Sequence, residues 1–253
     1  MKIGIALSGG GARGIAHLGV IQALQEEGIK FQVISGTSAG AIAGAFIAQG
    51  YSPKEVFDII ASTGILKSVR PAWSFSGLLT LDGFKEVLIK HIPHQTFEGL
   101  SIPLTVAATD VLQGSIRYFS KGNLITPILA SSCIPALFNP IAFENSMYID
   151  GGILDNLPVK PLVGHCDFII GVHTNPIGKK VDLKNMREIT ERSLLLTINM
   201  NSGISKSLCN LVIEPPQLAN YTTLEISKAK EIFEVGYTYV KQNRELLQSL
   251  ILV

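Results

Sequence analysis

Charge is what this chain has least of. Asp, Glu, Lys and Arg together make up 16% of its 253 residues, and 21 basic against 20 acidic side chains leave a formal net charge of +1. No run of like charges stands out, so the clustered basic face that a nucleic-acid partner requires is missing. Any membrane contact has to rest on apolar groups, because there is no polybasic patch to draw it to anionic lipid. Cysteine is sparse as well: Cys133, Cys166 and Cys209 lie far apart, without metal-ligand spacing. An odd, scattered set argues for a reducing compartment over a disulfide framework. No apolar run is long enough to cross a bilayer, and Met1–Leu7 is too short for a signal peptide. The expectation is a cytoplasmic protein, at most peripheral to a membrane, with no metal or cofactor requirement.

What is abundant is apolar, at 47%. That balance suits a sheet buried on both faces, and the length suits a single domain spanning 1–253. Ile3 to Leu7 is a short apolar run stopped by Ser8-Gly9-Gly10-Gly11, which reads as a buried strand feeding a loop. Ile15, Leu18, Ile21, Ala23 and Leu24 then follow helical spacing from Arg13 to Glu27, and Gly28 ends that helix. A second strand over Phe31 to Ile34 runs into Gly36-Thr37-Ser38-Ala39-Gly40, and Ala39 to Gln49 is a small-residue, buried helix. Strand, loop, helix, strand, turn, helix is the opening of an α/β fold with a parallel sheet. Further along, Ser52-Pro53-Lys54-Glu55 is a capping-box start, and residues 70–81 read as irregular. Helices are expected over 82–92 and 124–133, and strands over 103–109, 115–120, 147–149 and 168–173. A long amphipathic helix over roughly 224–247 closes the chain.

Three elements carry chemistry. The first is the G-x-S-x-G at 36–40 between a strand and a helix. A serine at such a turn is held in a tight backbone conformation with its hydroxyl presented, while the glycines remove Cβ atoms that would clash. The following helix aims its N-terminal dipole at developing negative charge. A plain helix-capping turn is the alternative. The second is Gly9-Gly10-Gly11-Ala12-Arg13-Gly14. Consecutive glycines let N–H groups converge on an oxyanion, a stabilisation of about 2.7–4 kcal/mol per donor. The same stretch satisfies G-x-G-x-x-G, but a dinucleotide site also needs an acid after the second strand. None occurs from Gly28 to Gly50, nor is there the Lys-Ser/Thr ending of a phosphate loop. The third is Asp150-Gly151-Gly152, a carboxylate at a strand end whose glycines permit close approach to another loop; an ordinary Asp-Gly turn is the alternative.

In this order the three closely resemble the patatin-like phospholipase family in its single-domain form. Ala130-Ser131-Ser132-Cys133-Ile134-Pro135 with Phe138 and Pro140, and Asn156 and Pro158 after the aspartate, strengthen the likeness, which runs from about Ile3 to about His173. The resemblance implies an α/β fold with a mixed, largely parallel central sheet flanked by helices in three layers. It implies Ser38 as nucleophile and Asp150 as general base, with no histidine between them. The amides of Gly10 and Gly11, with Arg13 nearby, would form the oxyanion hole. Gly9, Gly14, Gly36, Gly40, Gly151 and Gly152 are the motif glycines. The reaction it implies is hydrolysis of a lipid ester (phospholipid, lysophospholipid or acylglycerol) through an acyl-Ser38 intermediate, with transient membrane-surface contact.

Three other readings stay open on the residues. A Ser-His-Asp esterase would need His165 or His173 as base, given the chain order serine, acid, histidine. An acyltransferase would share acyl-Ser38 but hand it to another acceptor. A nucleotide-binding module would use the Gly9–Gly14 loop. His17 reads as a packing residue, and His91 and His94 lack metal spacing. Trp73, Phe75, Leu78 and Leu79 suit an acyl channel, a membrane contact or the core.

Overall fold

The apolar run Ile3–Leu7 forms strand β1 with every residue buried, because the strands on both sides of it are parallel partners. The computed structural model describes residues 1–63, 70–74, 77–135, 137–179 and 183–251. After β1 come α1 (Ala16–Glu26), β2 (Val33–Thr37), α2 (Ala39–Gln49) and α3 (Pro53–Thr63). The strands β3 (Arg70–Ser74) and β4 (Gly77–Thr80) precede α4 (Asp82–His91), β5 (Leu104–Asp110), β6 (Ser115–Phe119) and α5 (Ile125–Ser131). The chain ends with β7 (Ile141–Phe143), β8 (Ser146–Asp150), β9 (Phe168–Val172), α6 (Met186–Ser207), β10 (Leu211–Ile213), α7 (Ala229–Gln242) and α8 (Gln248–Ile251).

The main sheet is mixed and mostly parallel: β10, β9, β1, β2 and β5 run parallel, while β6, β8 and β7 are antiparallel additions. Side chains alternate across it with the period of a strand. Ile5, Leu7, Phe168, Ile170 and Val172 enter a large core with α1, α2, α5 and α7, whereas Ala6 and Ile169 enter a smaller cluster with Leu157, Val159 and Leu162.

One register sets where the ends of two strands meet. Along β5, Ala107 pairs with Thr37 of β2 and the next residue, Ala108, pairs with Asp150 of β8. A strand has two edges, and β6 takes one of them along Val106–Asp110. β2 and β8 therefore share the other edge end to end, running toward each other, and their last residues meet.

Several elements differ from the sequence expectation. A 3₁₀ turn over Gly11–Ile15 precedes α1, and β2 continues to Thr37 instead of stopping at Ile34. Pairing with β1 and β5 overrides the poor strand propensity of Gly36. Residues 70–80, expected to be irregular, include the antiparallel pair β3–β4; a two-stranded ribbon has free edges, which tolerates Pro71. Phe75 lies outside the described residues, as do the side chains of Trp73, Leu78 and Leu79. The strands β7 and β10 and the 22-residue helix α6 were not anticipated.

Candidate active site

Ser38 sits between β2 and α2 with φ 52° and ψ −121°, a strained conformation for a residue with a side chain, costing about 1–3 kcal/mol. The surroundings hold it there. Its N–H donates to Ser131 Oγ at 2.7 Å, and Ser131 in turn donates to the Ala107 carbonyl at 2.6 Å. Its carbonyl accepts the Ile42 N–H at 3.0 Å, opening α2. The flanking backbone approaches too closely for side chains: a Cβ at Gly36 would lie 2.5 Å from the Gly40 carbonyl, and one at Gly40 would strike the Leu7 carbonyl.

The end-to-end meeting of β2 and β8 brings the Ser38 hydroxyl and the Asp150 carboxyl together on the wall of one cavity, where the serine acts to lower the carboxyl's pKa. Asp150 is fixed from several sides. Its Oδ1 accepts the Gly152 N–H at 2.7 Å, its carbonyl accepts Thr109 Oγ1 at 3.0 Å, and its N–H donates to the Cys133 carbonyl at 2.9 Å. Gly151 packs on the Ala107 carbonyl with no room for a Cβ. Burial pushes the Asp150 carboxyl up to about 6, against the opposing pull of the Gly152 N–H and the neighbouring Ser38 hydroxyl.

The glycine loop runs past the same point. The Gly9 carbonyl accepts Asn175 Nδ2 at 2.7 Å and Thr174 Oγ1 at 3.1 Å, and the Gly10 carbonyl accepts the Arg13 N–H at 3.1 Å. In a trans peptide the N–H points opposite to the carbonyl of the same unit. Anchoring those two carbonyls therefore turns the amides of Gly10 and Gly11 the other way. Among the described residues nothing accepts from either amide, whereas Gly9 N–H is taken by the Asn156 carbonyl and Ala12 N–H by the Thr223 carbonyl. Gly9, Gly10, Gly11, Ser38, Asp150 and Gly152 all line one cavity of about 250 Å³.

Comparison with known proteins decides the family at this point. The patatin-like phospholipase profile matches residues 5–163, which carry the loop, the serine turn and Asp150. The chain belongs to the patatin-like phospholipase family. It is 30% identical to lysophospholipase NTE1 of Saccharomyces cerevisiae over 282 residues, covering 98% of this chain and 17% of the yeast protein. It is 36% identical over 177 residues to an NTE family protein of Mycobacterium tuberculosis, covering 69% of this chain and 49% of that protein. The chain thus spans about half or less of these relatives. The crystal structure of VipD from Legionella pneumophila superimposes with a TM-score of 0.54 at 18% identity, covering 98% of this chain and 67% of VipD, a likeness of fold.

Not every residue singled out in this patatin-like sequence reaches the cavity. Arg13 is buried on the far side of the loop. Its Nε donates to the Tyr221 carbonyl at 2.8 Å, and the side chain borders a separate polar cavity with Lys179 and Arg192. Its guanidinium is thereby turned from the Gly10 and Gly11 amides, and its own amide is spent on Gly10. Gly14 faces an adjoining apolar cavity.

None of the five histidines lines the Ser38 cavity. His173, the rival base, is fully buried with Nδ1 2.7 Å from Glu214 Oε1, and His165 is exposed on a turn. His17 Nε2 donates to the Ser8 carbonyl at 2.8 Å, and burial lowers its pKa to about 4, so it supports the loop as a neutral ring. Among the described residues no cluster of His, Cys, Asp and Glu could hold a metal.

Sequence reasoning missed Thr174 and Asn175, which anchor the loop from the end of β9, and it missed α6, whose Leu194, Leu195 and Ile198 wall the cavity. A Thr-Asn pair just past the end of a buried strand was the available signal for the first pair.

Proposed function

We propose that this chain is a serine acyl hydrolase of lipid esters working through a Ser38–Asp150 dyad. The observation that carries the reading is the meeting of Ser38 and a buried Asp150 in one cavity that no histidine lines. As Ser38 Oγ attacks the ester carbonyl carbon, its proton passes to Asp150. The oxyanion is met by the Gly10 and Gly11 amides and by the N-terminal dipole of α2. Collapse breaks the bond to the alcohol, whose oxygen takes the proton from Asp150. Water then gives a proton to Asp150 and attacks acyl-Ser38. The final collapse frees the fatty acid and returns the proton to Ser38. A carboxyl at about 6 is a better base than an ordinary aspartate, while still ionised at neutral pH.

Lipid esters are favoured because the apolar cavity that adjoins Ser38 is lined almost wholly by hydrocarbon and a relative that covers this chain nearly end to end is named a lysophospholipase. Contact with a lipid surface belongs to the same reading. The helix that walls the cavity exposes Met186, Ile189, Leu196, Met200 and Ile204 outward, and its described exposed residues include no charged one. Two of its described charges are turned to protein partners, Arg192 to the Gly178 carbonyl and Lys206 to Glu214. Such a helix suits the plane of a bilayer surface. Among the described residues no helix is long and apolar enough to cross a membrane.

The test is covalent labelling. A fluorophosphonate should modify Ser38 alone, and Ser38→Ala should lose both the label and ester hydrolysis, on the order of 10⁶-fold. Label recovered on another serine, with Ser38→Ala still active, would overturn the mechanism.

A further inference from the structure

Two cavities meet at Ser38. One, of about 250 Å³, contains Asp150 and is walled by Leu194, Leu195 and Ile198 of α6. The other, of about 130 Å³, runs among α1, α2, α3 and α4 past Leu18, Ile42, Ala43, Ile60 and Phe84, and Asp150 does not line it. Gly11, Ser38, Ile134, Thr223 and Leu224 line both, so the two cavities adjoin across the serine.

An ester has two arms diverging from the carbonyl carbon that Ser38 attacks. Only one arm needs a proton: the alkoxy oxygen, at the moment its bond to carbon breaks. In the dyad mechanism that proton is on Asp150. The alkoxy arm therefore has to lie where Asp150 can reach it. Resting on the acyl-hydrolase reading, we infer that the Asp150 cavity takes the alcohol half of the substrate and the α1–α4 cavity takes the acyl chain. After the alcohol leaves, the vacated Asp150 side is also where water meets the base for deacylation.

The linings agree with this division. The acyl cavity is almost wholly hydrocarbon, and Ser132, one of its few polar members, spends its hydroxyl on the Ile128 carbonyl at 2.9 Å. The alcohol cavity includes Asn156 and Asn175, each 1% exposed. Asn156 Nδ2 and Asn175 Oδ1 are buried without a hydrogen-bond partner. The amide side chains of Asn156 and Asn175 make this end of the site more polar than the α1–α4 cavity, which suits the oxygen-bearing half of an ester.

Two substrate series separate the arms. The first varies acyl length from four to eighteen carbons on p-nitrophenol. The second holds one long acyl chain and varies the alcohol among p-nitrophenol, glycerol and glycerophosphocholine. Ala43→Leu, which fills the acyl cavity, should lower the long-to-short ratio of kcat/KM at least tenfold and leave the ranking of alcohols in place. Phe84→Ala, which enlarges it, should raise the same ratio, and protects the test should the leucine variant not fold. Leu194→Trp should lower the ratio of glycerol ester to p-nitrophenyl ester without moving the preferred acyl length. Acyl preference that follows Leu194 while alcohol preference follows Ala43 and Phe84 overturns the assignment. A wild-type protein that hydrolyses no ester and takes no fluorophosphonate instead defeats the acyl-hydrolase reading itself.

Discussion

On one side of the Ser38 cavity, Ser38, Gly10 and Gly11 are held by backbone. A strained serine is pinned through Ser131, a loop is turned by two anchored carbonyls, and the strand register on β5 meets Asp150. On the other side, α6 contributes Leu194, Leu195 and Ile198, side chains that fill space and make no hydrogen bond to the reacting groups. The contrast teaches where chemistry and selectivity reside. Backbone geometry tolerates almost no substitution, because any change moves the atoms that react. An apolar wall tolerates many, and each retunes what fits.

The sharpest way to break that contrast is Asp150→Asn, which leaves size and hydrogen bonding but removes the base. Turnover should fall about 10⁴-fold or more, whereas His173→Gln should cost activity only as far as it costs stability. In the wild type, kcat/KM should drop tenfold per pH unit below about 6. The same substitution should raise stability. The folded carboxyl at about 6 binds its proton more tightly than the unfolded one at 3.8, so wild-type stability declines as pH rises through that window and stays reduced above it. Asp150→Asn should therefore melt higher at pH 7, by on the order of 2–3 kcal/mol, with no gain at pH 3.

Gly11→Ala comes next. At φ 55° its new methyl meets the Thr223 carbonyl, and kcat should fall about 10²–10³-fold with a smaller change in KM. An effect confined to KM would make the loop a binding element and dissolve the contrast. Ser131→Ala removes the hydroxyl bridging Ser38 N–H to the Ala107 carbonyl, and should cost about 1–3 kcal/mol, visible as a lower melting temperature and roughly tenfold slower turnover. Smallest of all is Met200→Ser with Ile204→Ser on the outer face of α6. Hydrolysis of a monomeric short-chain ester should change less than twofold, and only sedimentation with lipid vesicles should weaken.

Local signals were legible in the sequence, and long-range ones were not. Ile3–Leu7 and Ala39–Gln49 emerged with the expected bounds. The Ser52–Glu55 capping box formed with both of its reciprocal bonds, because its cause lies within four residues. The pairing of Ser38 with Asp150 was suggested only through family likeness, since nothing in their spacing reveals that β5 seats their strands end to end. Arg13 shows the opposite failure: a motif names a residue without saying on which side of the loop its side chain falls. Helix α6 went unseen because its pattern is inverted, with Ser202 and Ser205 buried while Met200 and Ile204 are exposed. Periodicity finds a helix by its dry face, and here much of the apolar face is the outer one.

The shared edge of β5 also sets an order in time. Strands β1 and β2 and the turn at Ser38 are made before β8, and a parallel unit can form around them. Asp150 reaches Ser38 only after β8 has folded back onto β5, a non-local pairing whose intervening loop must close first. The wall from α6 is synthesised later still. On the proposed mechanism, a half-folded chain thus carries a nucleophile with neither base nor cavity, and it can cut lipid only once β8 and α6 are both in place.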